Sequence, residues 1–164
     1  MADKEAPKGR GAPSNPSGRF ERLAFVPEPG AIAEWSDADL AIEDRPSLKT
    51  ELFRDTSKSI LAFNDSPDVP MDASVNPYRG CEHGCIYCYA RPYHEYLGLS
   101  AGEDFESRIF VKENAAALLR DALSARSWKP QVIGISGVTD PYQPIERSLR
   151  ITRGCLEVLA EFRN

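Results

Sequence analysis

Three of the four cysteines of this chain fall within eight residues, in the run Cys81-Glu82-His83-Gly84-Cys85-Ile86-Tyr87-Cys88. A C-x3-C-x2-C loop brings three thiolates to one spot. Soft sulfur ligands select zinc, copper(I) or an iron–sulfur cluster over hard cations, so the metal is most of the functional question. The fourth cysteine, Cys155, lies on the apolar stripe of a helical pattern and reads as a small buried hydrophobe. With 164 residues, the chain is long enough for one domain with a core of its own. It has no signal-peptide pattern, so the expected setting is a soluble protein of the reducing cytoplasm, where clustered cysteines bind metal or do redox work rather than pair. No run approaches the length of a transmembrane helix, so no membrane association is expected. The net charge of -5 gives nucleic acid no general support as a partner.

The chain divides into three stretches. Residues 1–19 carry Pro7, Pro13, Pro16, Gly9, Gly11 and Gly18 with almost nothing apolar, and are expected to form a disordered tail. Residues 20–73 read as an irregular N-terminal extension wrapped around a core built later. Within it Phe20, Leu23, Phe25 and Val26 suit an extended arm, Ala31 to Trp35 a helical turn, and Ser59 to Phe63 a strand ended by Asn64-Asp65-Ser66-Pro67. Residues 74–164 hold the organised part.

In that part an extended run over Ser74 to Tyr78 precedes the cysteines, with Gly80 releasing the backbone. A short helix is expected over Tyr89 to Leu97, with Pro92 confined to its first turn. Ile109 to Val111 and Val132 to Ile135 are continuous apolar runs, the pattern of strands buried on both faces. Between them Ala115, Leu118, Leu119, Ala122 and Leu123 recur at helical spacing over Asn114 to Trp128, with Asn114 as N-cap. Leu149, Thr152, Leu156, Leu159 and Phe162 mark a last helix. Three strand-loop-helix units in succession imply an α/β fold with a parallel sheet. The cysteine loop, Lys112 and the segment Ser136 to Glu146 then follow its three strands and meet at one edge. Thr139-Asp140-Pro141-Tyr142-Gln143-Pro144 is a proline-fixed polar loop, suited to a cofactor or substrate wall or, alternatively, to a turn that starts the third helix.

Two readings of the cysteines remain. Structural zinc takes four ligands, usually as two separated pairs. No second C-x-x-C is present, so His83, His94 or Cys155 would have to close the site. A four-iron four-sulfur cluster held by three thiolates leaves one iron open to an exogenous ligand.

The loop, with the aromatic Tyr87 directly before the last cysteine, resembles the signature of the radical S-adenosylmethionine superfamily. The longer string Asn76-Pro77-Tyr78-Arg79-Gly80-Cys81 through Cys88-Tyr89-Ala90, with Thr139 to Glu146 downstream, is similar to a branch related to spore photoproduct lyase and described as DNA repair photolyase-like. The resemblance covers roughly residues 74 to 162. It implies a parallel-stranded partial (βα) barrel, of which about three units are present, and a missing C-terminal half.

The resemblance also implies that Cys81, Cys85 and Cys88 ligate three irons and that S-adenosylmethionine chelates the fourth. Reductive cleavage to a 5'-deoxyadenosyl radical would follow. A flavodoxin- or ferredoxin-like electron donor is implied, with nucleic acid lesions as a substrate class. Tyr87 would lie beside the adenine, Lys112 would pair with the methionyl carboxylate, and Ser136 would bond ribose hydroxyls, while Thr139 and Asp140 would line the site. On chemistry alone Tyr87 serves equally as a packing aromatic, Lys112 as a surface charge and Ser136 as a helix cap. The alternative to an enzyme is a non-catalytic metal-binding module, holding zinc or an inert cluster.

Overall fold

A computed structural model describes residues 10–12, 14–20 and 48–164. Leu23, Phe25, Val26 and the turn expected over Ala31 to Trp35 lie outside the described residues.

The strands form two small sheets rather than one parallel sheet. In the first, β1 (Glu51–Arg54) runs parallel to β5 (Arg108–Val111), and β4 (Tyr78–Arg79) pairs antiparallel on the other side of β5. In the second, β2 (Leu61–Phe63) is antiparallel to β3 (Ala73–Val75), which runs parallel to β6 (Ile133–Ile135). The run expected as one strand over Ser74 to Tyr78 is therefore split between sheets. Pro77 is the cause: with no N–H it cannot continue a ladder. Its carbonyl instead accepts from the Lys112 amide at 3.0 Å.

Among the described residues five helical segments accompany the strands. A 3-10 helix at Arg91–Leu97 has Pro92 in its first turn and ends at Gly98, left-handed at φ 73°. It is followed by α1 (Glu103–Ser107), which the sequence did not announce because its buried residues include Glu103, Asp104 and Glu106. The amphipathic α2 (Ala115–Ser124) stops short of Trp128, and Asn114 occupies its N-cap position without a side-chain capping bond. The last helix is broken: α3 (Glu146–Leu149) and α4 (Ile151–Phe162) meet at Arg150, φ 55°. The buried face of α4 is Thr152, Cys155 and Val158, whereas Leu149 and Leu156 are exposed.

The main core lies where α2 and α4 pack on the second sheet, joining Ile60, Val75, Leu119, Leu123, Cys155 and Val158. β6 is an edge strand there. Ile133 and Ile135 are only half-buried and Val132 is exposed, against the expectation of burial on both faces. A second cluster of Tyr78, Ile109 and Val111 fills the first sheet, and a third of Cys81, Ala90 and Phe105 sits under the cysteine loop. Among the described residues no helix is long and apolar enough to cross a membrane.

Residues 10–12 and 14–20 lie against the organised part of the chain. They dock on α1 and the 3-10 helix through polar contacts, including Asn15 with Asp104 and Arg19 with Glu95 at 2.5 Å. Phe20 stacks on Tyr96 with ring centroids 4.7 Å apart. Low apolar content hides such docking, because hydrogen bonds rather than burial hold the segment.

Candidate metal centre

The cysteine loop leaves β4 through Gly80, whose φ of 83° belongs to glycine. A Cβ there would press within about 3.1 Å of Ile109, Phe105 and His94. The next residue, Cys81, is tied down by its amide donating to the Phe105 carbonyl at 2.9 Å. Short turns then carry the chain from Cys81 to Arg91: Gly84 N bonds Cys81 O, Cys88 N bonds Cys85 O, and Arg91 N bonds Cys88 O. All three thiols are free; Cys81 is buried while Cys85 and Cys88 are half-buried. Burial pushes the Cys81 thiol up, opposed by the backbone amides of His83 and Asp140, which favour a thiolate.

Two polar frames hold this loop. Behind it, the buried Arg91 guanidinium donates to Gly84 O (2.7 Å) and Cys85 O (2.9 Å), and to Ala101 O and Gly102 O (3.1 Å each). It also pairs at 2.5 Å with Glu106, which is 0% exposed. At its side, Gln143 Nε2 donates to Gly80 O at 3.3 Å and Thr139 Oγ1 at 3.0 Å, while its Oε1 accepts from the Glu82 amide at 3.0 Å. Thr139 Oγ1 donates to the same Gly80 carbonyl at 2.7 Å. Glu82 returns the link by accepting from Ile145 N at 2.7 Å. The 139–146 loop is thus stapled to the cysteine loop on both strands of the contact. Arg91 and Glu106 escaped the sequence reading. An arginine three residues after the last cysteine, at the head of a proline-bounded helix, was the available signal; Glu106 had none.

One cavity of about 410 Å³ is lined by Cys81, Cys85 and Cys88 together with Ser136, Thr139 and Asp140. Ser136 Oγ donates to Thr139 O at 3.1 Å, closing that loop upon itself. His83 Nε2 lies 3.5 Å from Asp140 Oδ2 at the rim. Lys112 stands elsewhere, in a neighbouring cavity of about 440 Å³ with Asn76, Arg79 and His94. The two cavities back onto the same two stretches of chain: Gly80 and Val138 line one, Cys81 and Thr139 the other. Lys112 is buried, with its Nζ donating to Ser57 Oγ and Ser59 O and 3.7 Å from Asp55. Burial holds its pKa below the usual lysine range. For Asp55, burial pushes upward, but bonds from Ser57 and the charges of Arg79 and Lys112 bring it below the ordinary carboxylate value. Tyr87 is 87% exposed and lines neither cavity.

Among the described residues no three His, Cys, Asp or Glu side chains close on a point as the ligands of a single ion would. The three thiols are soft donors on one cavity, a donor type that zinc and iron–sulfur clusters both take.

Comparison with known proteins gives relatives without an assigned activity. Over 102 residues the chain is 42% identical to an uncharacterized protein of Mycobacterium bovis and to one of Mycobacterium tuberculosis, covering 60% of this chain and 30% of each relative. Over 83 residues it is 34% identical to an uncharacterized protein of Methanocaldococcus jannaschii, 51% of this chain and 29% of that one. The chain therefore spans about a third of the length of these relatives. No family model matches, and no solved structure matches.

Proposed function

We propose that the chain carries the cluster-binding portion of a radical S-adenosylmethionine enzyme, with the strands of residues 73–135 belonging to a partial (βα) barrel and with Cys81, Cys85 and Cys88 holding a four-iron four-sulfur cluster. The observation that carries this reading is the joint lining of one cavity by all three thiols and by Ser136, Thr139 and Asp140. When bound, such a cluster supplies the electron for reductive cleavage of S-adenosylmethionine. The chain's own residues do the rest. The amides of His83 and Asp140 stabilise the Cys81 thiolate. Arg91, Gln143 and Thr139 hold the loop carbonyls so that the thiolates keep their spacing. Lys112 lines the neighbouring cavity, its Nζ held by Ser57, Ser59 and Asp55. An external one-electron donor of flavodoxin or ferredoxin type completes the requirement, and a damaged nucleic acid is the substrate class that the sequence resemblance favours.

Anaerobic reconstitution with iron and sulfide tests the reading. A brown protein holding about four irons per chain is expected, bleaching on reduction. Changing any one of Cys81, Cys85 or Cys88 to Ala should abolish iron retention, and reduced protein with S-adenosylmethionine should release 5'-deoxyadenosine. A colourless protein that binds a single zinc overturns the proposal in favour of a metal-binding module.

A further inference from the structure

We infer that the segment Arg10–Ala12 is a strap that positions the cysteine loop, acting through Glu106 and Arg91; in its consequence for metal retention, this rests on the reading of the three cysteines as cluster ligands. Glu106 is the pivot. A carboxylate with no exposure needs its oxygens filled by donors, and among the described residues one donor to its side chain comes from the loop side: Arg91 at Oε1, 2.5 Å. The other two are strap amides, Ala12 N at Oε1 (2.6 Å) and Gly11 N at Oε2 (2.9 Å), more than ninety residues away in sequence. The strap is secured on its outer side by Arg10, whose guanidinium donates to Glu106 O, to Thr50 Oγ1 at 2.7 Å and to Leu48 O at 3.3 Å. Thr50 in turn donates to Glu82 at 2.6 Å, inside the cysteine loop.

The strap also lies directly on the loop. A Cβ on Gly11 would overlap the carbonyl of Gly84, the residue before Cys85. Gly84 itself has φ +62°, and a Cβ there would come within 2.6 Å of Arg10 Cβ. Backbone thus rests on backbone, with no side chain tolerated on either surface. Further along, Ser100 Oγ donates to Pro16 O at 2.8 Å and Asn15 pairs with Asp104, so the chain beyond the strap is held as well. Polar bonds of modest individual worth hold it, so it opens more cheaply than the core. When it opens, Glu106 loses two of the three side-chain donors that the described residues give it. Arg91 is then drawn from the Gly84 and Cys85 carbonyls toward the under-satisfied carboxylate, and the span between Cys81 and Cys88 slackens.

Two variants remove the strap while sparing the ligands. Gly11→Ala makes it collide with Gly84, and Ala12→Pro deletes the N–H that fills Glu106 Oε1; Ser17→Ala, exposed, is the control. In the metal-free chain, maleimide labelling read peptide by peptide should speed up at Cys85 and Cys88 about ten-fold in both variants, the worth of one hydrogen bond to a charged group. The control should match the parent. Labelling of Cys155, 0% exposed on the buried face of α4, should not change. If Cys155 accelerates in step, the variants have loosened the whole fold and the strap proposal fails; unchanged rates at Cys85 and Cys88 also overturn it. On reconstituted protein the same variants should lose iron to a chelator about ten-fold faster. A parent chain that takes up no iron would defeat the cluster reading alone, because the labelling result stands without metal.

Discussion

His94 supplies the sharpest test of the packing beneath the cysteine loop. Its ring is 2% exposed, edge-on to Phe105 at 5.7 Å and Phe110 at 6.1 Å, and its Nε2 has no hydrogen-bond partner among the described residues. Burial in this apolar setting lowers its pKa from the ordinary 6.5 to about 4, and the nearby Asp104 carboxylate only partly opposes that. Below 6.5 the unfolded chain takes up a proton that the folded chain refuses until about pH 4. Folding stability from this residue is therefore complete above pH 6.5 and is lost as pH falls toward 4. At about 1.4 kcal/mol per pH unit the loss comes to about 3 kcal/mol. Urea unfolding of the metal-free chain at several pH values between about 7.5 and 4, compared with His94→Leu, isolates the effect. The variant has no proton to take up, so its stability should fall about 3 kcal/mol less over that interval. Glu103, pushed up by burial and by its acidic neighbours, biases both proteins in the opposite sense and cancels in the comparison. Parallel curves for the two proteins would refute the assignment of His94 as a neutral buried imidazole.

Two substitutions probe the frame and the core. Arg91→Met leaves the buried Glu106 with strap amides only and should cost about 3 to 5 kcal/mol in urea unfolding, part of it recovered in the double variant with Glu106→Leu; a loss under about 1 kcal/mol would place the pair outside the frame. Cys155→Ala should lower stability by about 1 to 2 kcal/mol without changing iron content. Its thiol, pushed up to about 11 by burial, stays protonated at neutral pH, and a fall in iron in this variant would mark it instead as a ligand.

What could be read in advance followed from apolar periodicity. The stripe of Ala115, Leu119 and Leu123 located α2, the run Ile109 to Val111 located β5, and the same stripe logic put Cys155 in the core. The three cysteines and Ser136, Thr139 and Asp140 were placed on one edge from strand order, and they line one cavity. Lys112 followed its strand as expected yet faces a different cavity, because β5 pairs with β1 and β4 in one sheet while β6 belongs to the other. What stayed hidden depends on polar groups. No periodicity marks α1, whose buried face is acidic and which is held by partners far away in sequence. Residues 10–12 and 14–20 likewise have little apolar content and are held by partners that only the fold brings near. The break of the last helix at Arg150 was also invisible: it brings Glu146 to the amides of Thr152 and Arg153 (3.0 Å each) and to the hydroxyl of Tyr78.

The split strand before the cysteines sets a length rule. Val75 is registered against Ile135, Tyr78 against Val111, and Cys81 against the Phe105 carbonyl, three moorings at three-residue intervals to three separate parts of the chain. Each mooring fixes its residue independently, so the run from 75 to 81 carries no spare chain. One inserted residue would advance everything beyond it by about 3.3 Å, enough to put Cys81 out of reach of the pocket that buries it. The stretch is a gauge: its letters can be exchanged where the contacts permit, but its count of residues cannot.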